Sequence, residues 1–266
     1  MLTLKRLKKI ASGNTAEVFA LSNKQVLKLY FDGYPPDEAE NEFNKAKFAY
    51  LLGIPTPKPI DLLELGPRQG LVFERCEGPS LAAYLQQHPK EVPHLACEFA
   101  SLHATIHQYD ASPLPLSQER LSDKINRANV DHGLRQQALE KLDTYPQENM
   151  LCHGDFHPAN VILSNQSLMV IDWVDATQGP ALADVARTEL LIATSITTAD
   201  TFEKQAYVEL KQQFVAAYKR HYFQLSKRDE QQLARWLPLV AIGRLSEKLA
   251  GSSFEQTLAI AQQDFI

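Results

Sequence analysis

Chemically competent side chains are concentrated in the segment 153–160, HGDFHPAN, and in the residues that follow it. Asp155 precedes Asn160 by five residues, and Asp172 follows Asn160 by twelve. An amide oxygen and a carboxylate oxygen are hard ligands that suit Mg²⁺ when it also binds phosphate oxygens. A carboxylate one loop away can orient a hydroxyl or accept its proton. An Asp, four residues, an Asn and a later Asp form the arrangement that kinases use for phosphoryl transfer.

A predicted β-hairpin places two of these residues side by side. The runs VILS and LMVI have the composition of strands, and the polar residues NQS between them are typical of a tight turn. Because the two strands of a hairpin are antiparallel, the residue before the first strand lies beside the residues after the second. The sequence therefore predicts that Asn160 and Asp172 meet at the open end of the hairpin.

The remaining elements divide into a strand-rich part and a helix-rich part. The first 74 residues contain four or five strand-like runs and one helix with apolar residues at helical spacing, ending near Gly53. From residue 80 onward, helices are predicted over 80–87, 92–108, 119–129 and 133–143, then again from near Leu182 and over 202–223, 229–250 and 254–264, with Pro238 kinking the helix over 229–250. This order predicts an α+β fold with a β-rich N-terminal lobe over 1–74, a hinge over 75–79 and a larger α-helical lobe over 80–266.

The segment HGDFHPANVIL…VIDWVDATQGPALADVAR resembles the catalytic segment of the aminoglycoside phosphotransferase and choline kinase-like small-molecule kinases. Further matches follow in the family's order: SGNTAEVF at its nucleotide loop, VLKLY at its β3 lysine, NEFNKAKFAYLLGIPTP at its αC helix and LVFERCEGPSL at its hinge. The resemblance implies a two-lobed protein kinase-like fold with ATP in the cleft between the lobes. It also implies Mg²⁺-dependent transfer of the γ-phosphate to a hydroxyl of a small molecule.

The resemblance assigns roles to individual positions. Asp155 is expected to be catalytic, aligning the acceptor hydroxyl, and Asn160 and Asp172 are expected to bind Mg²⁺. Lys28 is expected to bind the α- and β-phosphates with Glu42 as its ion-pair partner. The nucleotide loop, which has one glycine where the family has several, is expected to contact the phosphates through Ser12, Gly13 and Thr15. Backbone groups of the hinge are expected to contact the adenine at Glu74, Arg75 and Cys76. His153 is expected to pack and fix the catalytic loop.

The acceptor is expected to bind beside the catalytic loop, against the helical lobe. Residues 181–266 contain ten acidic and ten basic side chains. A site for a polycationic aminoglycoside should show a surplus of carboxylates, so this balance argues against antibiotic resistance and leaves a smaller amino alcohol, amino sugar or related metabolite. His157 is a candidate hydrogen-bond partner of the acceptor or of the catalytic loop itself. The other candidate acceptor residues, each of which has a structural salt bridge or a solvated helix charge as its alternative role, are Asp175, Arg187, Glu189, Arg244 and Glu247.

Three other interpretations remain open at this point. His103 and His107 stand at i and i+4 on a helix and could bind zinc, but no third ligand is indicated and packing is favoured. A catalytically silent nucleotide-binding or regulatory module on the same fold is the main alternative, although such a module has no need of all the catalytic residues. A protein kinase is disfavoured because Trp173 replaces the Phe-Gly that follows the metal-binding Asp there.

Composition excludes several other classes. The 266 residues include 27 Lys and Arg and 32 Asp and Glu, a net charge of −5, so no basic excess is available for nucleic acid. The charge is +1 over residues 1–74 and −6 over residues 75–266. No apolar run approaches a membrane span, and no signal peptide is evident. Three unpaired cysteines suit a reducing compartment, so a cytoplasmic enzyme is expected. The acceptor's identity, the choice of ATP over GTP and the oligomeric state are not predicted.

Overall fold

The computed structural model of the chain describes residues 4, 7–35, 37–165, 167–195, 201–249 and 251–263, with the backbone alone at 201–203. The elements in chain order are β1 (Lys8–Ser12), β2 (Ala16–Ala20), β3 (Gln25–Tyr30), α1 (Glu38–Leu51), β4 (Pro59–Leu65), β5 (Arg68–Glu74), α2 (Leu81–Gln87), α3 (Val92–Ile106), α4 (Ser117–Arg127), α5 (His132–Asp143), β6 (Met150–Cys152), β7 (Val161–Ser164), β8 (Ser167–Val170), β9 (Thr177–Gly179), α6 (Ala181–Ala193), α7 (Thr201–Ser226), α8 (Leu233–Arg244) and α9 (Gly251–Ala261). Short 3₁₀ turns lie at Pro89–Glu91, Pro158–Asn160, Trp173–Asp175 and Glu230–Gln232.

The predicted α+β fold, with a β-sheet N-terminal lobe and a helical C-terminal lobe, is confirmed. Backbone contacts divide the chain into two compact units. The first unit comprises residues 1–81 and 159–175, and the second unit comprises residues 82–158 and 176–266. The first unit is therefore discontinuous, since the segment that contains Asn160 and Asp172 groups with the N-terminal sheet. The boundaries predicted at 74 and 79 remain predictions.

The first unit is an antiparallel five-stranded sheet in the order β1-β2-β3-β5-β4, together with α1 and the β7–β8 hairpin. Side chains alternate across a strand, and the sequence QVLKLY of β3 places Leu27 and Leu29 in the core, where neither is exposed. Lys28, between them, therefore points to the opposite face. Leu71 of β5 is also completely buried and pairs with Lys28 in the sheet register.

The hairpin is fixed to the rest of the first unit by backbone hydrogen bonds. The N–H of Val170 donates to the carbonyl of Pro55 at 2.8 Å, and the N–H of Leu163 donates to the carbonyl of Pro79 at 3.0 Å. Gly78 has a φ of +138°, and a Cβ there would lie 2.0 Å from the Leu163 carbonyl oxygen. Only glycine allows this approach, so the segment after β5 is matched to the hairpin.

The second unit consists of helices with one small sheet. α3 packs against α7, and α8 packs against α4, α6 and α9. β6 and β9 pair antiparallel and flank residues 153–176, and the sequence interpretation had predicted neither strand. The two strands of this small sheet are separated by 24 residues of chain, so no turn motif in the sequence indicated that they pair.

The predicted continuous helix over 229–250 is wrong. A 3₁₀ turn at Glu230–Gln232 precedes α8, which contains Pro238 and ends at Arg244, where the N–H of Leu245 caps the carbonyl of Ala241. The N–H of Glu247 then donates to the carbonyl of Arg244 at 2.9 Å in a tight turn. This turn brings the Glu247 side chain back toward the end of α8. Residues 250 and 264, which end two of the predicted helices, lie outside the described residues.

Within the described part of the chain, none of the helices combines the length and the apolar character that crossing a bilayer requires. The three cysteines, Cys76, Cys97 and Cys152, are all free thiols, as the sequence predicted.

Candidate functional site

The first unit contains a partly buried triad of charged side chains. The Lys28 ammonium lies 2.8 Å from Glu42 Oε1 and 2.8 Å from Asp172 Oδ1. The Tyr30 hydroxyl donates a hydrogen bond to the other oxygen of Glu42. The ion pair predicted between Lys28 and Glu42 is therefore present, and Asp172 is a second partner that the sequence interpretation had not paired with Lys28.

Local sequence explains how these side chains converge. In α1 the buried face carries Ala39, Glu42, Ala46 and Ala49, at spacings of three and four residues, so Glu42 occupies a core-facing position and is only 1% exposed. Small alanines on either side leave room for its carboxylate. Asp172 follows the hairpin with a φ of +69°, a left-handed backbone conformation that is uncommon outside glycine and is enriched at functional sites.

Burial and charge act in opposite directions in this triad. Burial lowers the pKa of Lys28, but the charges of Glu42 and Asp172 outweigh it, so the pKa of Lys28 is raised above its ordinary value. Burial raises the pKa of Glu42, and Lys28 opposes this effect. The triad has one positive and two negative groups, so it has a surplus of negative charge available to a metal ion or another cation.

Asn160 and Asp172 lie together at the open end of the hairpin, as predicted. Val161 pairs with Val170 in the sheet register, and the N–H of Ile171 donates to the main-chain carbonyl of Asn160 at 3.0 Å. Asn160 is buried, whereas the Asp172 side chain is 33% exposed. An amide oxygen and a partly open carboxylate at one hairpin mouth fit a hard divalent cation such as Mg²⁺. Their role as ligands remains a prediction.

The other predicted nucleotide contacts lie on the same unit. The N–H of Gly13 donates to the carbonyl of Ala16 at 2.9 Å, which closes the turn between β1 and β2 beside Ser12 and Thr15. A Cβ at Gly13 would make an ordinary contact of 3.7 Å, so the fold itself does not require glycine there. At the end of β5, the N–H of Glu74 donates to the Lys58 carbonyl at 2.9 Å.

The next two residues of the predicted hinge are Arg75 and Cys76. The N–H of Arg75 donates to the Lys24 carbonyl at 2.9 Å. Cys76 is partly buried, and burial raises the pKa of its thiol. The adenine contacts predicted for this segment remain a prediction.

In the second unit, Asp155 is held by an arginine and a histidine. Arg187 Nη2 lies 3.3 Å from Asp155 Oδ1, and His157 Nε2 lies 3.4 Å from Asp155 Oδ2. The Arg187 Nε also donates to the carbonyl of Gly154. Burial by itself would raise the pKa of Asp155, but the His157 hydrogen bond and the Arg187 charge outweigh burial, so the pKa of Asp155 is lowered. Such a carboxylate stays ionised and orients a hydroxyl better than it removes a proton.

Asp184 anchors the backbone that carries Asp155. The N–H groups of His153 and Gly154 donate to its two carboxylate oxygens at 2.6 and 2.9 Å. His153 is completely buried and its Nδ1 accepts the N–H of Asp155 at 3.2 Å, so it fixes the loop as predicted. Asp184 comes from α6 and His153 from the end of β6, so tertiary packing rather than local sequence sets this contact.

The His103–His107 pair converges on the same carboxylate. Their Nε2 atoms lie 3.1 and 3.3 Å from Asp184 Oδ2, and their Nδ1 atoms lie 2.8 and 2.7 Å from the hydroxyls of Tyr218 and Tyr222. The sequence had indicated no third potential ligand, and Asp184 corrects that statement. Since the carboxylate is an acceptor, each Nε2 donates to it and each Nδ1 accepts from a tyrosine. All four ring nitrogens are thus satisfied without an ion, which agrees with the favoured packing role.

The structure brings four of the acceptor candidates together in the second unit. Glu247 Oε1 lies 2.9 Å from Arg187 Nη2, and Glu247 Oε2 lies 3.7 Å from Arg244 Nη1. Lys124, which sequence reasoning missed, lies 3.0 Å from Glu247 Oε1. Arg187 joins Glu247 to Asp155, so these residues and His157 form one group, which we call the acceptor cluster: Lys124, Asp155, His157, Arg187, Arg244 and Glu247.

Two acceptor candidates lie elsewhere. Asp175 belongs to the first unit, at the end of the 3₁₀ turn after Asp172. Glu189 forms an ion pair of 3.1 Å with Lys219 of α7, the structural role that was its alternative. Lys124 gave little signal in the sequence, because it lies on α4 as an ordinary polar residue 123 positions from its partner Glu247.

Comparisons with known proteins identify the same fold in solved structures. Solved structures with the same fold include a thermostable mutant of aminoglycoside phosphotransferase APH(4)-Ia in complex with AMP-PNP and hygromycin B, at 16% identity, a TM-score of 0.66 and coverage of 96% of this chain and 90% of that chain. Amicoumacin kinase hAmiN, in complex with AMP-PNP, Ca²⁺ and Ami, matches at 15% identity and a TM-score of 0.63, covering 97% and 87%. Choline kinase from Cryptosporidium parvum Iowa II matches at 15% identity and a TM-score of 0.61, covering 97% and 88%.

None of the curated proteins matches the sequence. The model of the Phosphotransferase enzyme family, APH, matches residues 6–236, a span that holds the Lys28 triad, the catalytic segment and Asp184. Together with the solved structures, this match confirms the resemblance seen in the sequence. The chain belongs to the APH phosphotransferase enzyme family.

Proposed function

We propose that this protein transfers the γ-phosphoryl group of ATP to a hydroxyl of a small molecule in a Mg²⁺-dependent reaction. The single observation that carries the proposal is the triad in which Lys28 lies 2.8 Å from both Glu42 and Asp172. A lysine fixed between a buried helix carboxylate and a metal-ligand aspartate is the arrangement that positions phosphates in kinases. Family membership and the AMP-PNP bound by two structural neighbours support the same reaction.

Lys28 would hold the α- and β-phosphates, because its raised pKa keeps it cationic and Glu42 fixes its direction. Asn160 and Asp172 would bind Mg²⁺, which when bound neutralises phosphate charge during transfer. The turn at Ser12, Gly13 and Thr15 would cover the phosphates. Backbone groups near Glu74 and Cys76 would form hydrogen bonds with the adenine of the nucleotide.

Asp155 would align the acceptor hydroxyl for attack on the γ-phosphorus. The new bond joins the acceptor oxygen to that phosphorus, the bond to the β-phosphate oxygen breaks, and ADP leaves with the bonding pair. The hydroxyl proton passes by way of Asp155 to solvent. Because the pKa of Asp155 is lowered, positioning contributes more to the rate than proton removal does.

The proposal is tested with the variants Asp155→Asn and Asp123→Asn. ATP and GTP consumption would be followed with Mg²⁺ over a panel of hydroxyl metabolites and aminoglycosides, and nucleotide affinity would be measured separately with a fluorescent ATP analogue. Asp155→Asn should lower transfer by about 10²-fold or more while leaving the nucleotide Kd nearly unchanged. Asp123, an exposed carboxylate on α4, controls for loss of one negative charge and should have no effect.

Full transfer by Asp155→Asn would contradict the role given to Asp155. Nucleotide binding by the wild-type protein with no transfer to any acceptor would favour the silent nucleotide-binding module instead.

A further inference from the structure

The acceptor cluster has a surplus of positive charge. Lys124, Arg187 and Arg244 contribute three cations, whereas Asp155 and Glu247 contribute two carboxylates, and the five groups are linked by contacts of 2.9 to 3.7 Å. Glu247 is in contact with all three cations. The cluster therefore has one more cation than it has carboxylates.

Arg244 is the cation that the cluster leaves least satisfied. It is 8% exposed, and its Nε has no hydrogen-bond partner among the described residues. Its nearest carboxylate oxygen is 3.7 Å away, beyond hydrogen-bond range. A buried donor of a charged group that has no partner destabilises a folded protein, so such a group calls for an explanation. Burial, and the charge of Arg187 beside it, lower the pKa of Arg244 more than Glu247 and Asp155 raise it.

The scaffold holds Arg244 and Lys124 in fixed positions. Gly243 precedes Arg244 on α8, and a Cβ there would lie 2.7 Å from a methyl of Leu121 and 3.5 Å from the Cβ of Lys124. α4 therefore approaches α8 at the point where both helices contribute a cation. The turn after α8 fixes Glu247 in the same way. The cluster is built from rigid elements, as expected for a preformed binding site.

We propose that the acceptor carries an anionic group, a carboxylate or a phosphate, that binds to Arg244 together with Arg187 and so places its hydroxyl at Asp155. This inference rests on the proposed function and specifies its substrate class. An arginine fork matches the two oxygens of a carboxylate or phosphate, and such charge-assisted pairs are stronger than neutral hydrogen bonds. A polycation or a quaternary amine would meet three like charges in this cluster, so the inference excludes aminoglycosides and choline as preferred acceptors.

Matched acceptors that differ in the anionic group test the inference. Serine would be compared with ethanolamine, glycerate with glycerol, and ribose 5-phosphate with ribose, with choline and kanamycin as cationic members. In at least one pair the anionic member should have a kcat/KM about tenfold or more above its partner's. The serine and glycerate pairs report a carboxylate, and the ribose pair reports a phosphate.

Arg244→Gln should reduce that preference to within about threefold, mainly by raising KM, because the residue binds the acceptor and does not touch the phosphoryl group. Arg235→Gln removes the same charge from an exposed position on the same helix and should keep the full preference. Arg244→Lys retains the positive charge and should keep part of the preference for the anionic acceptor. This variant therefore distinguishes weaker acceptor binding from loss of folding. The thermal midpoint of each variant is measured alongside.

The outcomes separate the two proposals. Transfer that is as efficient with the neutral or cationic members overturns the anionic acceptor and leaves the phosphotransferase proposal intact. An anionic preference that survives in Arg244→Gln overturns the assignment to Arg244. Absence of transfer to every member, with ATP still bound, contradicts the proposed function itself and the inference with it.

Discussion

The two charged clusters of this protein are opposite in composition. In the first unit, one lysine is shared by two carboxylates, Glu42 and Asp172. In the second unit, two carboxylates are shared by three cations. A cluster with a carboxylate surplus suits a metal ion and a nucleotide's counterions, whereas one with a cation surplus suits an anionic partner.

The clusters also differ in how deeply their carboxylates are buried. Glu42 is 1% exposed, whereas Glu247 is 30% exposed and has three cationic neighbours. Removing one cation should therefore have very different consequences in the two places. Among the residues that the structure describes, Glu42 has Lys28 as its only cationic contact, whereas Glu247 keeps other cations when one is removed. This difference can be tested directly by deleting one lysine from each cluster.

The largest effect is expected for Lys28→Met. Glu42 would be left buried without its cation, either charged and unpaired or forced to take up a proton, and we expect the free energy of unfolding to fall by about 3 kcal/mol. ATP affinity should fall as well. Urea unfolding and nucleotide titration measure the two effects. The double variant Lys28→Met/Glu42→Gln removes the orphaned charge and should recover most of the stability but none of the ATP affinity.

If the double variant does not recover stability, then packing around the Lys28 side chain, rather than the Glu42 charge, determines stability. Unchanged stability in Lys28→Met would show that the first cluster is as tolerant as the second and would remove the contrast between them.

An intermediate effect is expected from His103. It is completely buried and contacts Asp184, the residue that anchors the backbone carrying Asp155. Burial, with His107 beside it, lowers the pKa of His103 to about 3, against 6.5 in an unfolded chain. Between these values the unfolded chain binds a proton that the folded protein does not, so stability is lost as the pH falls below about 6.5. The loss attributable to one histidine is about 1.4 kcal/mol per pH unit. The other titratable groups that act on it are Asp184, which stays ionised because its pKa is lowered, and His153.

Unfolding free energies measured from pH 7 to pH 4.5 test this expectation. His103→Gln should show a pH slope smaller by about one proton than the wild type, while His94→Gln, at an exposed position, should leave the slope unchanged. Equal slopes in the wild type and His103→Gln would mean that His103 is protonated in the folded state, and that Asp184 forms a charged pair there.

Local signals were sufficient to predict the parts of the site that are close in sequence. The hairpin places Asn160 beside Asp172 through antiparallel pairing alone, and the match to family motifs predicted Glu42 as the partner of Lys28. Contacts between distant segments were not predictable in the same way. Asp184 meets His103 across 81 residues of chain, and only the packing of α3 and α6 reveals it.

Helix ends were a second limit of the sequence interpretation. The pattern 229–250 reads as one helix because its apolar spacing continues, yet the helix ends at Arg244. The turn that follows returns Glu247 to Arg244, and this turn creates the acceptor cluster. Periodicity reports which face of a segment is buried, but it does not report where hydrogen bonding changes from helix to turn.

The smallest effect is expected for Lys124→Met, the counterpart of Lys28→Met in the second cluster. Glu247 would lose a partner at 3.0 Å but keep Arg187 at 2.9 Å, and its side chain remains 30% exposed to water. A partly exposed ion pair of this kind contributes less than about 1 kcal/mol, and the unbranched thioether side chain of methionine preserves the packing against α8. Urea unfolding under the same conditions as for Lys28→Met gives the comparison. A loss as large as that of Lys28→Met would show that Arg187 cannot compensate Glu247 because Asp155 already engages it, and the cluster would then have no surplus of positive charge to offer an acceptor.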